Sequence, residues 1–93
     1  MIMGKKQTKQ ELLTYKWCLF FKYIIKGMGA KAISVDSLIT LALVQPEAEM
    51  LCVDMQEAKS YALKALDTIK AGDYIYLQYD AKHKAITINE DFD

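Results

Sequence analysis

The sequence predicts an α+β domain: three helices joined to a C-terminal β-hairpin. Three observations carry this expectation. Thr8 with Glu11, and Asp54 with Glu57, each form a capping-box pattern at a helix start. Gly27, Gly29 and Gly72 supply stop signals where the helical periodicity runs out. After Gly72 the apolar period changes from helical to two, as in a strand.

The first helix is expected over residues 9–28, after a mobile basic tail at residues 1–7. At about 100° per residue, Leu12, Leu13, Trp17, Leu19, Phe20, Tyr23 and Ile24 fall on one broad face. Gln10, Glu11, Thr14, Lys22 and Lys26 fall on the other, but Cys18, Phe21 and Ile25 sit among them. A helix so apolar is either buried on most sides or paired with another subunit. A homodimer through Trp17, Phe20, Phe21, Ile24 and Ile25 is the expected use of that surplus.

Ala32 and Ile33 are expected to form a short strand that joins the later hairpin as its third member. Ser34 or Asp36 caps the second helix, which carries Leu38, Ile39, Leu41, Ala42 and Val44 and ends at Pro46. Residues 46–53 are either a loop or a helical turn opened by Pro46. The third helix starts at the Asp54 cap, with Val53 and Ala58 placed for a hydrophobic staple. Met55, Ala58, Ala62, Leu66 and Ile69 line its apolar face, and Lys70 suits the negative end of the helix dipole. Beyond Gly72, Ile75, Leu77 and Tyr79 alternate with Tyr74, Tyr76 and Gln78. Residues 80–83 make a polar break and residues 85–88 a second strand. The domain thus covers residues 8–89, and the acidic end, residues 90–93, is expected to fray as a tail.

The 93 residues, 53% hydrophobic and 26% charged, provide for one folded core. Formal net charge is zero, and all 12 basic residues are lysine. The lack of arginine removes the usual bidentate reader of guanine and phosphate. Charge is segregated along the chain: residues 1–31 carry seven lysines against Glu11. Residues 32–58 carry five acids (Asp36, Glu47, Glu49, Asp54, Glu57) and no lysine. Such a pattern bears on partners more than on fold.

Two cysteines cannot build a disulfide framework, and Lys16, Lys22 and Lys26 interrupt any signal peptide or membrane span in the first helix. A cytoplasmic protein with reduced thiols and no membrane association is expected. No phosphate-cradling glycine loop, zinc ligand set or nucleophile–base pair stands out, so no enzyme activity, cofactor or metal is expected. Cys18 and Cys52 lie in apolar surroundings that predict buried, inert thiols.

The run VDMQEAKSYALKALDTIKAGDYIYLQYDAKHKAITI, with SVDSLITLAL before it, resembles the winged helix-turn-helix superfamily. The resemblance lies in the order helix, short strand, helix, helix, strand, strand, and covers roughly residues 33–88. It implies a recognition helix over residues 54–71 and a wing tip over residues 80–84. Gln56, Ser60 and Lys64 would then face bases or phosphates of double-stranded DNA, and Lys82, His83 and Lys84 would straddle its backbone. Lys5, Lys6 and Lys9 would add phosphate attraction. The same groups also suit a merely solvated helix face and a turn kept in water. Tyr74 and Tyr76 suit base stacking or, more commonly, packing against a helix. A transcription regulator is the leading expectation. A protein-interaction module or inhibitor that offers its acidic middle to a basic partner is the alternative.

Overall fold

The computed structural model describes residues 9–46, 48 and 54–92. Helix α1 spans Lys9–Gly27, strand β1 Ala32–Ser34, helix α2 Val35–Val44 and helix α3 Met55–Lys70. Strands β2 (Leu77–Asp80) and β3 (Ala85–Ile88) follow, and a single 3-10 turn covers Glu90–Phe92. The fold is α+β: three helices on a small antiparallel sheet with strand order β1-β3-β2.

Local chemistry explains the element boundaries. Ser34, not Asp36, caps α2: its Oγ accepts from the Ser37 N–H at 3.3 Å. Asp54 caps α3, accepting from the Glu57 N–H at 2.8 Å. The Val53 half of the expected staple lies outside the described residues. Gly72 takes φ +81, the left-handed conformation that ends α3, and its N–H donates to the Ile69 carbonyl at 3.0 Å. α2 stops at Val44, two residues before Pro46, and Pro46 and Ala48 have helical backbone with Ala48 buried.

β3 is the middle strand. Ile33 of β1 and Tyr79 of β2 both pair with Ile86, and Leu77 pairs with Ile88. Directly paired residues share a face, so these five side chains line the sheet surface under the helices. The expected two-residue strand at Ala32 and Ile33 is present and extends through Ser34.

Three sequence expectations change. The alternation after Gly72 starts later than expected, because Ile75 and Tyr76 form a turn closed by the Leu77 N–H to the Tyr74 carbonyl. That turn resets the phase, so Tyr74 is buried and Ile75 exposed. Met55 does not join the apolar face of α3. It is 56% exposed, while Tyr61 and Ala65 take part in the face alongside Ala58, Ala62, Leu66 and Ile69. Residues 90–92 form a 3-10 turn in place of an extended tail. Glu90 pairs with Lys31 at 2.9 Å, and Asn89 donates from its amide to the Ile75 carbonyl at 2.8 Å.

α1 packs most extensively on α3 and also on α2. Trp17, Cys18, Phe21 and Ile25 are fully buried, and Trp17 meets Phe20 and Phe21 edge-on at 5.4 and 6.0 Å between ring centroids. Small residues at Ala58, Ala62 and Ala65 line the buried side of α3, and the Cys18 Sγ lies 3.7 Å from the Ala65 carbonyl.

Leu66, 3% exposed, tests this packing. Leu66→Ala should lower stability by about 2–5 kcal/mol through the cavity it leaves. Met55→Ala, on the exposed side, should change it by less than about 0.5 kcal/mol. Denaturant midpoints followed by the fluorescence of the single tryptophan, Trp17, check both values.

Candidate nucleic-acid interface

The side of α3 opposite the core carries Gln56, Ser60, Leu63 and Asp67. Their spacing of four, three and four residues places them on one face, and all four are exposed. Leu63, 58% exposed, stands in the middle of this face. Continuing the helical spacing from Gln56 and Ser60 identifies it, although its apolar character hides it among the core candidates. Lys59 and Lys70 are also exposed, and the Lys70 ammonium lies 5.0 Å from the centre of the Tyr79 ring on β2. That contact brings the end of α3 beside the strand that leads into the hairpin tip.

Lys64 is placed differently from Gln56 and Ser60. It is half-buried, with its ammonium 4.9 Å over the Tyr61 ring. It lines a groove between α1 and α3 together with Glu11, Tyr15, Asp67 and Asp73. Lys64 therefore stands at the α1 edge of the helix, over the Tyr61 ring.

The hairpin tip is organised by Asp80. One carboxylate oxygen accepts from the backbone N–H groups of Lys82 and His83, at 3.1 and 3.3 Å. The other lies 2.7 Å from His83 Nδ1, which donates to it. This bond to the His83 ring is the main reason that the Asp80 carboxyl lies below the usual carboxylate range. Lys84 closes the turn at φ +49, and its carbonyl accepts from the Val35 N–H at 3.0 Å. The wing base is thereby fixed to the first residue of α2. Lys82, His83 and Lys84 are all exposed.

The two tyrosines pack against α1. Tyr74 is buried, with its ring 6.4 Å from that of Tyr15 and 5.5 Å from that of Tyr76. Burial pushes its phenol up to about 12. The Lys22 ammonium covers the Tyr76 ring at 4.5 Å. Tyr74 is removed from solvent, while Tyr76 stays partly exposed beside the Lys22 ammonium. Burial likewise pushes the Cys18 thiol up to about 12, so it is an inert core group; Cys52 lies outside the described residues.

Four of the five residues expected to form a homodimer surface on α1 are interior. Trp17, Phe20, Phe21 and Ile25 are buried inside the single chain, and Ile24 is half-buried. α3 and α2 pack over this side of α1, while Leu12, Tyr15, Leu19 and Tyr23 on its other side stay exposed. Among the described residues no helix is long and apolar enough to cross a membrane, and no group of three or more His, Cys, Asp or Glu residues is placed to hold a metal. No family model, curated protein or solved structure compared with the chain matches it.

The Asp80 arrangement makes a pH prediction. A carboxyl held below its unfolded-state value stabilises the fold above that value, about 3.9 for aspartate, and loses the effect as pH falls through the folded-state midpoint. The Asp80 side-chain midpoint, followed by carbon-detected NMR, should rise toward about 3.9 in His83→Ala. An unchanged midpoint would show that the ring bond is not what holds it down.

Proposed function

We propose that the chain is a small winged-helix DNA-binding protein acting in transcription regulation. The observation that carries this proposal is the presence of an exposed, largely polar face on α3 together with an exposed basic hairpin tip. The element order α1-β1-α2-α3-β2-β3 and the strand order β1-β3-β2 support the winged-helix layout. In it α3 is the recognition helix and residues 81–84 form the wing tip.

The chemistry of the two parts differs. Gln56 suits the paired donor and acceptor of adenine, and Ser60 suits either a base edge or a phosphate. Leu63 suits the thymine methyl group, and Asp67 can accept from the cytosine amino group. Lys82 and Lys84 are the phosphate contacts, with His83 beside them. Asp67 and Asp80 oppose the phosphate field, so the balance shifts from backbone attraction toward base contacts. Lys64 adds a positive charge at the α1 edge of the helix and makes no base contact in this arrangement.

Changing both Lys82 and Lys84 to Ala should weaken binding to every duplex alike and flatten the salt dependence by about two units. Gln56→Ala should relax sequence preference with little change in that slope. Fluorescence anisotropy with mixed-sequence duplex at about 50 mM salt is the first measurement, because nonspecific attraction is strongest there. A folded protein that binds no duplex under those conditions excludes the proposal.

A protein-interaction module on the same scaffold is the second reading. It is favoured by the zero net charge, the absence of arginine and a row of exposed apolar residues on α1.

A further inference from the structure

The outer side of α1 is neither core nor part of the proposed DNA interface. Leu12, Tyr15, Leu19 and Tyr23 follow one another at steps of three, four and four residues, which places them in one row. They are 45%, 38%, 39% and 62% exposed. The row runs for about three turns, or about 16 Å. Four large apolar side chains in line are more than scattered surface exposure accounts for.

Two further features define what would cover the row. The first is charge. α1 contains four lysines (Lys9, Lys16, Lys22, Lys26) and one acid, Glu11. At about 100° per residue, Lys16 and Lys9 fall on one side of the row and Lys22 on the other, with Lys26 at its C-terminal end. Glu11 belongs to the groove that faces Lys64 and Asp67. The second is shape. At Tyr23 the row opens into an apolar groove of about 460 Å³ between the ends of α1 and α2, lined by Phe20, Ile24, Met28 and Leu41. That groove has room for a bulky apolar side chain.

We propose that this face docks an acidic amphipathic helix of a partner protein. Its apolar row would lie along Leu12, Tyr15, Leu19 and Tyr23, and flanking Glu or Asp residues would meet the lysines. A large apolar anchor near its end would enter the groove beside Tyr23. Helix-on-helix recognition of this kind takes affinity from apolar anchors and partner choice from flanking charge. A second copy does not suit the face, because pairing α1 with α1 sets four lysines on each helix against four, with Glu11 at one end as the single acid. This proposal stands independently of DNA binding, since it uses no residue of α3 or the wing.

The probe is a synthetic peptide of about 15–20 residues, long enough to populate a helix, with Leu and one Trp in the apolar row and Glu at its flanks. Amide shifts in the NMR spectrum of the full chain should move at Leu12, Tyr15, Lys16, Leu19 and Tyr23. A peptide with Lys in place of Glu should bind at least about tenfold more weakly, a difference of about 1.4 kcal/mol. Leu12→Ser combined with Leu19→Ser should abolish these shifts while leaving the circular dichroism melt and duplex binding unchanged. Four results would overturn the proposal: no shifts at millimolar peptide; equal binding of the two peptides; self-association in sedimentation that the double variant removes; or binding to phosphatidylserine vesicles in place of the peptide. The first would leave the DNA proposal intact, because duplex binding is measured separately.

Discussion

The packing of α1 on the small-residue side of α3 is the constraint from which the rest of the arrangement follows. α1 is apolar around most of its circumference, so its sequence permits several faces to be buried. Ala58, Ala62 and Ala65 select one, because small side chains let a second helix approach closely. Trp17, Cys18, Phe21 and Ile25 fill that contact and are removed from water. The indole N–H of Trp17 is buried without a hydrogen-bond partner among the described residues, and such a group carries a penalty of about 1–3 kcal/mol. Burial of the ring and its edge-on contacts with Phe20 and Phe21 offset it.

Once α1 and α3 are fixed, the remaining faces have little choice. The core side of α3 sets its opposite side toward solvent, and Gln56, Ser60, Leu63 and Asp67 stand there together. The strand after Gly72 must return across the helix end, which buries Tyr74 against Tyr15 and aligns Leu77 with Ile88. β3 then pairs on both edges, and the Val35 bond to the Lys84 carbonyl ties the base of the wing to α2. The wing is therefore held at both its base and its tip, the latter by three bonds to one carboxylate.

The two exposed surfaces have opposite character. The α3 face and wing are polar, with lysines set against carboxylates. The α1 face is apolar, and its charged flanks are almost wholly positive. A small protein with a nucleic-acid face and a separate helix-docking face would couple a target site to a protein partner, and the segregation of lysines into the first third of the chain has a structural use in that arrangement.

Much of the architecture was legible in the sequence because it depends on local chemistry. The Asp54 cap, the glycine stop at Gly72, the short strand at Ala32 and Ile33, and the hairpin of β2 and β3 follow from hydrogen bonds and backbone preferences within a few residues, while Thr8 of the first capping box lies outside the described residues. The candidate interface was legible in the same measure: Gln56, Ser60 and the wing residues emerge where helical spacing and turn chemistry place them. Tertiary structure alone decided which side of an all-round apolar helix is core, and so converted Phe21 and Ile25 from dimer candidates into interior residues and left Leu19 and Tyr23 outside. It also placed Lys64 over the Tyr61 ring at the edge of the helix, and it reset the strand phase so that Tyr74 is buried and Ile75 exposed. Periodicity identifies a face only when one side of an element is polar; where both sides are apolar, the partner that packs against it makes the choice.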